Sequence, residues 1–189
     1  MDNKQAIELL KSTDREERKR AVLILAEYGD EKAIPPLVET LKDEDKEVRS
    51  LADMALWKIW CRSGDIIEVD KTLEEGIASM NAGNYEEAIK KFNEVIARKP
   101  DFAEGYNKRA TTYYLMGEYI KSIEDCERTI ALNPFHFGAL SGEGLCHFAL
   151  GDLEQALKYF ERGLAVNPNM DGVRQNIRIV RRLIAARYN

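Results

Sequence analysis

Histidine and cysteine, the residues that build most metal and nucleophilic centres, are scarce in this sequence: two histidines and three cysteines in 189 residues. Cys61, Cys126 and Cys146 lie far apart with no C-x-x-C pair, which argues against a zinc framework or a disulfide scaffold. His136 and His147 miss the i, i+4 spacing that sets two imidazoles on one helix face, so no metal site is expected. Five prolines leave long stretches free to be helical, and the longest apolar run is the six residues AVLILA from Ala21, far too short for a membrane span. A basic excess is missing too. The net charge is -5, and five arginines with no acid after Gly172 leave the preceding chain at -10. An acidic body argues against nucleic acid and membrane surfaces as partners. The start, MDNKQAIELLKS, reads as an amphipathic helix without a charged-then-apolar leader, so a cytoplasmic location is expected.

Catalytic patterns are equally sparse. No serine, cysteine or threonine sits in a strained elbow or glycine-rich turn, and SGEG at 141–144 falls inside a helical pattern where it cannot cradle phosphate. The frequent acids are the solvated faces of helices, and Glu16-Glu17 and Glu86-Glu87 sit where helices begin, facing the positive end of the dipole. Neither a catalytic residue nor a cofactor is predicted.

What the chain has in abundance is periodicity. AGNYEEAIKKFNEVIARKPDF, MGEYIKSIEDCERTIALNPFH and LGDLEQALKYFERGLAVNPNM align without gaps, placing Gly83, Gly117 and Gly151 at steps of 34 and Pro100, Pro134 and Pro168 at the same steps. Each unit predicts a helix, a glycine turn, a second helix and a proline stop. The first part repeats at 31: Ala6, Ile7, Leu10, Lys11 and Asp14 recur as Leu37, Val38, Leu41, Lys42 and Asp45, and Arg18, Ala21, Leu25 and Tyr28 as Arg49, Ala52, Leu56 and Ile59.

The 34-residue unit resembles the tetratricopeptide repeat (TPR). Gly76, Ala110 and Gly144 stand at the small site of each first helix, Ala88, Ser122 and Ala156 at that of each second helix, and Phe92 and Phe160 at the aromatic site, where Cys126 departs from the pattern. The 31-residue unit is similar to HEAT repeats, particularly the short kind of the phycobilisome lyase-like family. The resemblance implies an all-α, right-handed alpha-solenoid: HEAT-like hairpins over 1–66, three TPR units over 67–170, and a basic capping helix over 171–189. Two HEAT units bury little surface alone and are expected to dock on the array. Ala52, Ala55, Leu56, Ile59 and Trp60 line one side of the last HEAT helix, and Met54, Trp57 and Cys61 the other.

The resemblance further implies a groove lined by the first helix of each TPR: Leu73, Ile77 and Met80; Asn107, Lys108, Thr111 and Tyr114; Ser141, Gly142, Leu145 and Phe148. Such grooves are known for clamping the carboxylate of heat-shock chaperone tails. The matching positions here are Leu73, Ile77, Lys108, Gly138 and Gly142, which keep a single cation, so chaperone tails are disfavoured. Gly138 and Gly142 lie four apart and leave a stripe of helix without side chains, a floor on which a peptide or helix could lie; the basic cap helix is the competing occupant. His136 is expected in a turn among variable surface residues, and His147 in the packing between helices. The function this implies is a non-catalytic scaffold or adaptor that holds a peptide or helix of a protein partner. A lyase-like or small-ligand chaperone and a self-assembling homo-oligomer are the alternatives.

Overall fold

The architecture is seen in a computed structural model, which describes residues 2–64 and 66–187. All regular structure among the described residues is helical. The helices are α1 (Asn3–Leu9), α2 (Arg15–Tyr28), α3 (Ile34–Thr40), entered through a 3-10 turn at Glu31–Ala33, α4 (Lys46–Trp60), α5 (Ile67–Asn81), α6 (Tyr85–Arg98), α7 (Ala103–Leu115), α8 (Tyr119–Leu132), α9 (Phe137–Ala149), α10 (Leu153–Val166) and α11 (Asp171–Arg187). They form two compact units, Met1–Gly64 with Asn167–Asn169, and Asp65–Val166 with Met170–Asn189.

In the first unit the 31-residue period has a hydrogen-bonding cause. Asp14 and Asp45, one period apart, are the N-caps of α2 and α4: the Asp14 carboxylate accepts from the Glu16 amide and the Asp45 carboxylate from the amides of Glu47 and Val48. Arg18 and Arg49, also one period apart, each reach back over the preceding turn. Arg18 donates to the carbonyls of Ser12 (3.1 Å) and Thr13 (3.3 Å), and Arg49 to those of Asp43 (2.8 Å) and Glu44 (3.0 Å), again 31 residues on. Each arginine thereby satisfies carbonyls that no helix ladder would serve. Arg18 also grips Asp43 through both carboxylate oxygens, at 2.8 and 3.0 Å. The core is aliphatic: Ala21, Val22, Leu25, Leu37, Leu41, Val48, Ala52 and Leu56 are all buried. On α4 the first predicted stripe is buried, whereas on the second Met54 is 38% exposed and Trp57 and Cys61 are half-buried. Trp57 and Trp60 pack edge-on with centroids 5.1 Å apart.

In the second unit the helices pair as α5 with α6, α7 with α8, and α9 with α10, and α11 packs on α10. The turns that make these pairs are identical in mechanism. Gly83, Gly117 and Gly151 have φ of +80°, +77° and +80°, and in each turn the glycine amide and the next amide donate back to carbonyls of the helix just ended. For the first these are Met80 (3.0 Å) and Ser79 (2.9 Å), the bonds of a Schellman cap. Within a pair, the small site and the aromatic site interlock: a Cβ on Gly76 would fall 2.5 Å from the Phe92 ring, and one on Gly144 2.6 Å from the Phe160 ring. The middle repeat carries Ala110 and Cys126 at these sites. Because α7 touches both α5 and α9, the first helices line up along one face, the groove side of a TPR solenoid.

Candidate functional site

A cavity of about 180 Å³ opens between α7 and α9, with α8 as its floor. From α7 come Asn107, Thr111 and Tyr114; from α9 Gly138, Ser141, Gly142 and Leu145; from α8 Ser122 and Cys126. Two departures from the repeat pattern are found where it opens. Cys126 occupies the site that Phe92 and Phe160 fill in the flanking repeats, so a ring's worth of volume is missing from the floor. Gly142 offers no side chain above it; a Cβ there would lie 3.6 Å from Cys126 Sγ.

Six of the residues expected from the sequence therefore meet at one place: Asn107, Thr111, Tyr114, Ser141, Gly142 and Leu145. Others do not. Leu73 is 1% exposed and belongs to the core of its own repeat with Val69, Ala88, Phe92, Val95 and Phe102, against which Ile77 and Met80 also pack. The structure thus leaves Leu73 no free side chain to present. Phe148 is 37% exposed and lies outside the cavity lining. Lys108, the one cation left at the clamp positions, directs its Nζ to Glu104 Oε1 at 3.0 Å.

Glu104 anchors a buried cluster that the sequence reading missed. His136, expected at the surface, is fully buried, and so is Glu104. The His136 ring caps α9: its Nδ1 accepts from the Ala139 amide at 3.1 Å, so Nε2 carries the proton and donates to Glu104 Oε2 at 2.9 Å. Asn107 Nδ2 donates to the same oxygen at 3.1 Å. Burial pushes the Glu104 carboxyl upward, but the hydrogen bonds from His136 and Lys108 and the charge of Lys108 prevail, and it sits below the ordinary carboxylate range. The signal was present in the sequence, since a histidine just before an apolar helix start is a possible cap, but register placed it in a turn usually left to solvent.

The thiols are quiet. Cys126 is 2% exposed and Cys146 fully buried, and burial raises both above the usual thiol range. Cys146 donates to Ser122 Oγ at 3.2 Å, and Ser122 in turn donates to the Ala110 carbonyl at 2.8 Å. His147 lies in inter-helix packing as expected, stacked on Tyr159 with centroids 5.6 Å apart. Among the described residues no group of three metal-ligating side chains assembles, and no helix is long and apolar enough to cross a membrane.

Paired helices with a shared groove and a gap in it define a helical-repeat protein with a face suited to holding a ligand. The chain belongs to the HEAT-repeat and tetratricopeptide-repeat families: a model for HEAT repeats matches residues 3–97, one for the tetratricopeptide repeat matches 103–136 and 138–170, and another for TPR repeats matches 78–117. It is similar to tetratricopeptide repeat protein 36 of Mus musculus, 37% identical over 65 residues, which are 34% of this chain and 35% of that protein. A TPR repeat-containing protein of Rhizobium etli is 46% identical over 43 residues, 23% of this chain and 21% of that one. The similarity thus spans about a third or less of these curated relatives. Among solved structures, the first TPR of Spaghetti (RPAP3) bound to HSP90 peptide SRMEEVD is 28% identical, covering 64% of this chain and 96% of that one with a TM-score of 0.62. The Sgt2 TPR domain from Aspergillus fumigatus is 27% identical, covering 65% and 83%, also at 0.62.

Proposed function

We propose that this chain is a non-catalytic adaptor whose TPR groove holds an extended segment or helix of a partner protein. The observation that carries this reading is the cavity between α7 and α9, lined by six of the residues expected to face a ligand. Similarity to the Spaghetti (RPAP3) domain, which binds an HSP90 peptide, supports peptide binding as the mode of action. The chemistry of the groove differs from what a chaperone carboxylate needs. Of the five positions that match the clamp, Leu73 is in the core, Ile77 packs beside it, Gly138 and Gly142 carry no side chain, and Lys108 is committed to a buried carboxylate. The partner segment is therefore of another kind.

The test is a comparison of baits. Wild type and Tyr114→Ala are used for affinity purification with quantitative mass spectrometry. Tyr114 is half-buried, lines the cavity and packs on Tyr119 (centroids 5.6 Å), so its truncation empties part of the groove wall while α7 keeps its buried side. A protein retained by wild type and depleted with the variant is the expected result; identical partner sets would place binding elsewhere on the chain.

A further inference from the structure

The α7–α9 cavity looks polar by composition, with Asn107, Thr111, Ser122 and Ser141 among its lining residues. Hydrogen-bond accounting removes that polarity. Thr111 donates to the Asn107 carbonyl at 2.9 Å, Ser141 to that of Gly138 at 3.0 Å, Ser122 to that of Ala110 at 2.8 Å, and the Asn107 amide to Glu104. Each of these four side chains already gives a hydrogen to the protein, and the surface that faces the cavity is mostly apolar. What remains toward the opening is Tyr114 with its ring and one uncharged hydroxyl, Leu145, the threonine methyl, bare backbone at the glycines, and the Cys126 thiol, which burial keeps protonated and neutral. No charged residue lines the space, and Lys108, the cation that a carboxylate would seek, is neutralised by Glu104.

Resting on the groove reading above, we propose that the cavity is a specificity pocket for one uncharged apolar side chain, of leucine, methionine or phenylalanine size, within the partner's segment. Electrostatics exclude a charged occupant, because an acid or a base entering a neutral site would lose its hydration with no counter-charge in return. Volume sets the size: an apolar protein cavity of about 150 Å³ accommodates benzene, and this one is of that order. The origin of the space sets the selectivity. It exists because a thiol replaces the ring of the flanking repeats and a glycine leaves the roof open, so it is particular to the junction of the second and third TPR units. The carboxylate of a chain end plays no part in recognition.

Selection of random twelve-residue peptides displayed with a blocked C-terminus, against the full chain, supplies the probe. Selected sequences are then made as C-terminal amides and as free acids, and titrated by fluorescence anisotropy against wild type, Gly142→Ala and Gly142→Leu. Selected peptides are expected to share one apolar residue at a fixed position. Replacing it by alanine, or using Gly142→Leu, should weaken binding at least tenfold, Gly142→Ala should have a smaller effect, and amide and acid should bind alike. Both variants trade a helical glycine for a better helix former, and thermal melts no lower than wild type show that any loss is local. Peptides that bind Gly142→Leu as well as wild type, or that share no apolar position, overturn the pocket and leave groove binding standing. If no peptide is enriched and free-acid peptides also fail, the groove reading falls as well.

Discussion

The most informative single residue outside the groove is Glu143. The three TPR units place a polar pair at the same two positions: Lys91 meets Glu75 at 2.7 Å in the first, and Arg109 meets Asp125 through two contacts of 2.7 Å in the second. In the third the pair is Glu143 and Tyr159, and Glu143 is fully buried with neither carboxylate oxygen hydrogen-bonded. The phenol is near enough to favour the charged form without reaching hydrogen-bond geometry. Burial dominates, opposed by Tyr159, Arg162 and Lys158 and reinforced by Glu127, and raises the carboxyl to about 7. Tyr159 is pushed up to about 12, by its own burial first and by Glu143 next. Since the folded state holds this proton more tightly than the unfolded one, the folded state loses stability as pH rises from the ordinary carboxylate range through 7. Glu143→Gln should match wild type near pH 4 and be more stable at pH 8.5, by up to about 3 kcal/mol. Chemical denaturation at the two pH values checks this, and curves that keep a constant offset would refute it.

His136 has the opposite character. Its removal in His136→Ala strips the cap from α9 and takes the Nε2 hydrogen bond from the buried Glu104, which should cost about 3–5 kcal/mol. Denaturant midpoints decide; a loss under 1 kcal/mol would mean that the cluster contributes little. For the same reason Lys108→Glu is a poor probe of binding, since it sets a second carboxylate beside a buried one. Differential thiol labelling tests the floor: Cys61, half-buried, should react well before Cys126 and Cys146, whose modification should await opening of the fold.

At the scale of the element, three glycines of the TPR array differ in why they are glycine. Gly117 has a φ of +77° with open space around it, so alanine there costs backbone strain alone, about 1 kcal/mol. Gly144 lies under the Phe160 ring, and a Cβ 2.6 Å from that ring forces the helix pair apart. Gly142 has neither constraint, and alanine there should gain about 1 kcal/mol of helix propensity. Melting temperatures are expected to fall in the order Gly142→Ala, wild type, Gly117→Ala, Gly144→Ala; a Gly142→Ala below wild type would show that the cavity is needed for packing. The helix order was legible because turn glycines and stop prolines are strong local signals, and the 34- and 31-residue periods multiplied them. Burial was less so. Leu73 falls at a groove position by register yet is core, because register fixes the direction of a side chain and not how far neighbouring aromatic rings extend over it. His136 and Glu104 are 32 residues apart, and no local pattern announces a contact between a helix start and the turn one repeat later.

At the scale of the whole molecule, repetition underlies the mode of action we propose. Within the second unit, helix pairs that cannot bury their faces alone stack, and their first helices line up along one face, the face we propose for a ligand. The sequence already pointed to that face, and it held the two substitutions from which the cavity arises, Cys126 for an aromatic and Gly142 in the roof. What the sequence left unread was that the lining serines, threonine and amide turn a donor toward the protein, since a period fixes where a side chain stands and not which carbonyl or carboxylate it bonds.

The measurement that tests the central claim most directly is an amide chemical-shift map of the isotopically labelled full chain, titrated with its partner segment or a selected peptide. Adaptor binding in the TPR groove predicts the largest shifts at Asn107, Thr111, Tyr114, Ser141, Gly142 and Leu145, with little change in α2 to α4. Shifts centred on α11 or on residues 2–64, with the α7–α9 amides unmoved, would contradict it.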